Sequence, residues 1–184
     1  MRAPTEEIWL RGNARPAALL VAAALAAGTG LVVLAVLPPT RAVAMPVAIA
    51  FALVAGPLVA AVSLAAVQPR LARRGGVLRV RLAPLAAHDV PLEIVECFFI
   101  GSHVLPAPDG RDDQPGQRVG TLVMRIAERA AAWQARPTFA AWGTWAEGAV
   151  VFDGRWCEPL SVELARRLSG RLVEAKRESA GHDA

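Results

Sequence analysis

The sequence predicts an α-helical transmembrane hairpin followed by a small α+β domain, an antiparallel sheet with a C-terminal helix. Three observations predict it. Two uncharged apolar stretches, residues 16–40 and 42–69, are separated by the single charge of Arg41. After Gly75 and Gly76 the apolar period changes from helical to alternating. Near the C-terminal end Leu160, Leu164, Leu168 and Leu172 recur every four positions behind Pro159.

Composition sets the same frame. Of 184 residues 54% are apolar, and the mean hydropathy of +0.38 is too high for an ordinary soluble domain. The pI of about 10.3 invites a nucleic-acid reading until the charges are placed. Residues 1–74 hold seven arginines against Glu6 and Glu7, while the remainder holds 13 basic and 14 acidic groups. The basicity therefore flanks the apolar stretches, and a near-neutral domain lacks the cationic face that phosphate contacts require. No nucleic-acid partner is expected.

Residues 1–15 mix Glu6, Glu7, Arg11 and Arg15 with Ile8, Trp9 and Leu10, which predicts an interfacial segment with Trp9 at headgroup level or a frayed terminus. The hairpin occupies 16–69, with spans at about 17–37 and 46–67. Twenty residues at about 1.5 Å each cross a hydrocarbon core of about 30 Å. Pro38 and Pro39 stop the first helix, leaving residues 41–45 as a tight reversal. Three arginines precede the first span, one lies in the loop and Arg70, Arg73 and Arg74 follow the second, so both termini are expected in the cytoplasm and the spans in the inner membrane. Ala42-Val43-Ala44 looks like a signal cleavage site, but the apolar run before it is too long for a signal peptide.

Small residues recur every four positions in both spans, at Ala18, Ala22, Ala26 and Gly30 and at Ala44, Ala48, Ala52, Gly56 and Ala60. Such faces allow close approach within the hairpin or between copies, and chance produces them readily in alanine-rich spans. Pro57 removes one helical hydrogen bond, predicting a bend. Only Thr29 and Ser63 are polar at membrane depth, which argues for an anchor over a transporter.

The domain is expected to span 75–178, with a disordered tail at 179–184. Leu78, Val80 and Leu82 alternate with Arg79 and Arg81 as a half-buried strand. A turn region with His88, Asp89 and Pro91 leads to a buried strand over 92–100, and the Pro- and Asp-rich stretch 106–117 reads as a solvated loop. Residues 121–135 read both as strand and as helix; a strand over the first half and a helical turn over 128–133 is preferred. Asp153-Gly154 predicts a type I′ turn setting Val151 opposite Trp156 and Val150 opposite Cys157. Pro159 then opens the last helix.

Val95-Glu96-Cys97-Phe98-Phe99, the segment from Arg125 to Ala130 with Trp133, and Trp156-Cys157-Glu158-Pro159-Leu160 together resemble a bacterial family of membrane-anchored proteins without an assigned activity. The resemblance implies the co-occurrence of these motifs and no chemistry. In element order, two spans followed by a β-rich domain with a C-terminal helix, the chain is also similar to bacterial membrane-anchored pleckstrin-homology-like proteins. That likeness implies a bent antiparallel sheet capped by one helix.

The chain carries no phosphate-binding loop, zinc-protease, hydrolase or dinucleotide motif. Cys97, Cys157, His88 and His103 are residue types that could ligate zinc, but structural zinc sites pair their ligands closely in sequence and these are scattered. A thiol beside Phe98 and Phe99 favours its protonated form, against a nucleophilic Cys97. Glu96 either pairs with Arg125 or Arg129 or lies on the exposed face of the sheet. Trp142 and Trp145 offer a ligand surface, a membrane-interface contact or a satellite core cluster.

These readings converge on a membrane-tethered cytoplasmic module that binds a protein partner or a lipid headgroup, without catalysis and without a cofactor. The competing expectations are a Cys/His enzyme or metal-binding domain, and an accessory subunit of a larger membrane complex. Expected partners are the lipid bilayer and a protein or second copy held through the small-residue faces.

Overall fold

The computed structural model describes residues 6–37, 40–104, 118–128, 130, 138–146 and 148–182. The expected loop at 106–117, most of the helical turn at 128–133, and Arg129 and Trp133 fall outside the described residues. The chain divides into two compact units, Met1–Gly12 with Pro69–Ala184, and Asn13–Gln68.

The smaller unit is a pair of helices, α1 (Arg15–Val36) and α2 (Arg41–Val67). Pro16 sits in the first turn of α1, where a missing N–H leaves no bond unmade. Residues 41–45, expected as a reversal, are already helical. The Thr40 and Arg41 N–H groups both donate to the Leu37 carbonyl, so the turn closes before Arg41. α2 then runs through both Pro46 and Pro57. At 22 and 27 residues the helices are about 33 and 40 Å long, long and apolar enough to cross a membrane. Their large apolar side chains are mostly exposed, Leu19 at 73% and Leu53 at 71% among them.

The larger unit holds two antiparallel sheets and a C-terminal helix. In the first sheet β1 (Glu7–Leu10), β2 (Leu71–Arg74), β3 (Val77–Val80) and β4 (His88–Pro91) lie in chain order. Two of these strands depart from expectation. Residues 7–10 form a strand rather than an interfacial segment or a frayed end: Ile8 pairs with Ala72 and Leu10 with Leu71, with a bulge between. Trp9, expected at headgroup level, is only 3% exposed, and Leu10 is fully buried. Burying each is worth about 2–3 kcal/mol, enough to hold a short edge strand in place. The larger unit accordingly resumes at Pro69, ahead of the expected boundary at Gly75. Gly75 and Gly76 form the turn between β2 and β3, and the expected turn at 88–91 is strand β4, with Val80 opposite His88 and Val77 opposite Pro91.

A 3₁₀ turn at Leu92–Ile94 leads into the second sheet, ordered β5 (Val95–Val104), β6 (Arg118–Ile126), β8 (Ala149–Asp153) and β7 (Gly143–Ala146). The strand reading of the first half of 121–135 holds in β6. The expected turn at Asp153-Gly154 is absent. The β7–β8 reversal lies at Gly148, whose φ of 77° suits it, so Val150 faces Met124 and Trp145, and Val151 faces Val123 and Thr144. Asp153 instead accepts from the Arg155 N–H at 2.8 Å and starts a 3₁₀ turn, Gly154–Trp156. Glycine is needed at 154 for space: a Cβ there would collide with the Gly120 carbonyl.

The last helix, α3 (Val162–His182), begins beyond Pro159, with Ser161 capping the Leu164 N–H at 3.1 Å. It continues through Ser179, so the expected tail is helical as far as residue 182. Leu164, Leu168 and Leu172 are buried as their spacing predicts, and join Trp9, Leu78, Val90, Phe98, Met124 and Phe152 in one core shared by both sheets.

Candidate functional site

The most unusual group in the larger unit is Arg70, between the end of α2 and the start of β2. Sequence reading assigned it to a basic membrane flank, yet it has no exposed surface. Its place follows from the backbone. The Arg70 N–H donates to the Leu10 carbonyl and its own carbonyl accepts from the Arg81 N–H, both at 2.9 Å, which extends the ladder of β1, β2 and β3 by one row. The side chain turns inward. Its guanidinium carbon lies 3.4 Å from the Trp142 ring centroid and its Nε donates to the Trp156 carbonyl at 3.2 Å. A desolvated cation over an indole face gains about 2 kcal/mol. Burial pulls the Arg70 pKa down to about 10, with Arg81 pushing the same way. The group remains charged at neutral pH.

Cys157 lies beside this cation. It is 2% exposed and bridges to Gly12, while next to it the Glu158 N–H donates to the Arg11 carbonyl and the Arg11 N–H to the Glu158 carboxylate. Desolvation pushes the thiol up to about 12, opposed by the nearby Arg70. A thiol so placed stays protonated across the physiological range and is a poor nucleophile or metal ligand. Cys97 is half-buried on β5 opposite Arg125. His88 begins β4 with its ring edge-on to Trp145, centroids 5.9 Å apart, and His103 is exposed on β5 opposite Val119. Cys97 and His103 share β5, six residues apart, while His88 is on β4 and Cys157 follows the Gly154–Trp156 turn. Among the described residues no three His, Cys, Asp or Glu side chains gather.

Glu96 is exposed and also paired, its carboxylate 3.3 Å from Arg125. Trp142 and Trp145 are 4% and 9% exposed. Neither offers the open face expected of a ligand surface, because Trp142 lies under Arg70 and Trp145 belongs to the main core.

Open clefts lie in both units, and two of them border the expected aromatic and small-residue positions. One, about 460 Å³, lies between β5 and α3 beside Phe98, Phe99, Val162 and Ser169. There the Ser169 hydroxyl accepts from the Phe98 N–H and donates to its carbonyl, covering part of the β5 edge. The other, about 530 Å³, runs between α1 and α2. Ala48, Ala52 and Gly56 of the expected α2 face line it, but the α1 side is built from Val21, Ala24, Gly28 and Thr29. Gly28 faces Phe51, and Thr29 donates to the Leu25 carbonyl at 2.8 Å.

Sequence reasoning missed Arg70 and β1 together. The run Ile8-Trp9-Leu10 ended by Gly12-Asn13 is a strand signal, but its partner lies beyond two long apolar helices. Compared with family models, with curated proteins and with solved structures, the chain gives no match. The resemblances drawn from motifs and element order rest on those residues alone.

Proposed function

We infer that this chain is a membrane-tethered binding or scaffolding module, non-catalytic, whose helices cross the inner membrane as a hairpin with both termini and the α+β domain in the cytoplasm. One observation carries the reading. β1 precedes the hairpin and β2 follows it, and the two are hydrogen-bonded neighbours in one sheet. A chain that leaves and re-enters the same sheet must enter and leave the bilayer from the same side. The exposed apolar surface of α1 and α2 supports the membrane, since soluble monomers rarely leave so large an apolar area in water. Arg41 alone marks the loop side, while Arg11, Arg15 and Arg74 lie exposed on the other, which favours a cytoplasmic domain even with Arg70 withdrawn into the core. The protonated, buried Cys157 argues against thiol chemistry. The antiparallel sheets and the single C-terminal helix are what the pleckstrin-homology-like reading rests on, by element order alone.

Topology is tested with a membrane-impermeant maleimide on intact cells, in a Cys97→Ser background. Arg41→Cys is expected to label, and Gly76→Cys only after permeabilisation; both labelling together would sink the hairpin. Binding is tested by purifying the full chain from membranes, where no reproducible protein or lipid companion would count against the module.

A further inference from the structure

We propose that the end of the first sheet from which the chain enters and leaves the hairpin is a docking face for anionic lipid headgroups, with Arg11 and Arg81 as phosphate contacts and Leu85 and Phe139 as apolar contacts. The proposal rests on the membrane reading above and names the ligand class and the residues. Chain length supplies the first argument. Arg11 stands four residues before the start of α1 and Arg70 three after the end of α2, spans of at most about 14 and 11 Å. Arg81 is bonded to Arg70 across the ladder. Arg11, Arg70 and Arg81 thus form a row across three strands, tethered within reach of any bilayer the helices occupy.

The second argument is the state of these groups. Arg70 is committed to Trp142 and Trp156. Arg81 is not: its Nε is buried and has no hydrogen-bond partner among the described residues. That nitrogen is closed to a headgroup, but the half-buried guanidinium that carries it has no described carboxylate bonded to its Nε to compete with an external anion. The Arg11 side chain is exposed, and it is the backbone that engages Glu158: the Arg11 N–H donates to the carboxylate at 2.8 Å and the Arg11 carbonyl accepts from the Glu158 N–H at 3.0 Å. Among the described carboxylates acting on Cys157, Asp153 is held by Arg155 at 2.7 Å and Glu158 accepts the Arg11 N–H. The local field favours an anion.

The third argument is apolar. Beyond Arg81 the chain passes Leu82 to Leu85, which is fully exposed. The Leu82 carbonyl accepts from the Phe139 N–H at 2.7 Å, fixing Phe139 to the same end, and Phe139 is 47% exposed, edge-on to Trp142. Apolar side chains beside free arginines fit a headgroup boundary, which solvates both kinds.

The test places an environment-sensitive fluorophore at Leu85→Cys or at Gly76→Cys, in the Cys97→Ser background, on the full chain in vesicles. Gly76 lies in the β2–β3 turn at the opposite end of the sheet, where a Cβ meets nothing within 4 Å. Vesicles are pure phosphatidylcholine or contain phosphatidylglycerol, and a headgroup-level spin-labelled lipid is the quencher. The Leu85 label should be quenched in the anionic vesicles, less so at high salt, and the Gly76 label in neither. Arg11→Gln should lower the docked-to-free ratio about fivefold, and Arg11→Gln with Arg81→Gln roughly 30-fold. Equal quenching at both positions, or quenching at Leu85 indifferent to phosphatidylglycerol and to Arg11, overturns the proposal. Either result with the maleimide pattern intact leaves the hairpin topology standing.

Discussion

Arg70 and Arg73 lie three residues apart at the two ends of β2, and the same side chain does opposite work in each place. Arg73 reaches α3 and pairs with Glu178 at 2.7 Å, a contact with the carboxylate in water. Arg70 is withdrawn from water altogether and stacked on an indole. The difference teaches that an arginine beside a span is not by default a membrane flank. At the hairpin-proximal end the domain uses one arginine as a core strut and leaves its neighbours, Arg11 and Arg81, available; at the other end the arginine is paired within the domain.

The contrast is broken most directly at Arg70. Arg70→Ala should cost about 3 kcal/mol, from lost stacking and an unfilled cavity, read as a fall in the unfolding midpoint of the full chain in detergent. Arg70→Met keeps the volume and should lose much less, because a buried charge is itself expensive. If the alanine variant proves as stable as the parent, the strut does not exist.

A second probe is alkaline pH, acting on the thiol beside that strut. Burial pushes the Cys157 thiol up to about 12 from its ordinary 9.0. Below pH 9 both folded and unfolded chains keep the proton; above it only the unfolded chain releases it, so stability falls as pH rises toward 12. The slope attributable to Cys157 is about 1.4 kcal/mol per pH unit. Cys157→Ala should flatten it, checked by unfolding curves across that window. A slope unchanged by the substitution would place the titration elsewhere.

Arg73→Ala sharpens the other side. Its pair is solvated at Glu178, so the loss should be about 0.5 kcal/mol and shrink with added salt. A loss as large as that of Arg70→Ala would erase the distinction between the two ends.

Much of the chain was legible without coordinates. The α3 stripe, the β3 alternation and the two apolar helices each depend on contacts local in sequence or on bulk hydropathy, so pattern suffices. The failures share a cause. β1 was read as an interfacial segment because its partner, Leu71–Arg74, lies some 60 residues away across the hairpin. Asp153-Gly154 has the composition of a tight turn, but the carboxylate found Arg155 and the glycine found the Gly120 backbone, and those contacts outweighed the local preference. For Trp142 the choice between ligand surface, membrane contact and core cluster stays open in the sequence, because nothing in its neighbours announces Arg70 stacked on it.

By itself, then, the sequence determined the element types with strong periodicity, the two spans' length and lack of charge, and the separation of basic flanks from a near-neutral domain. Each follows from side-chain chemistry counted along the chain. Only the tertiary structure decided that the hairpin is inserted between two adjacent strands, that Arg70 is core, and that Arg11, Arg81, Leu85 and Phe139 gather at one end of a sheet. Those are consequences of pairing between distant residues, and pairing is settled by which surfaces bury each other, a quantity no local pattern records.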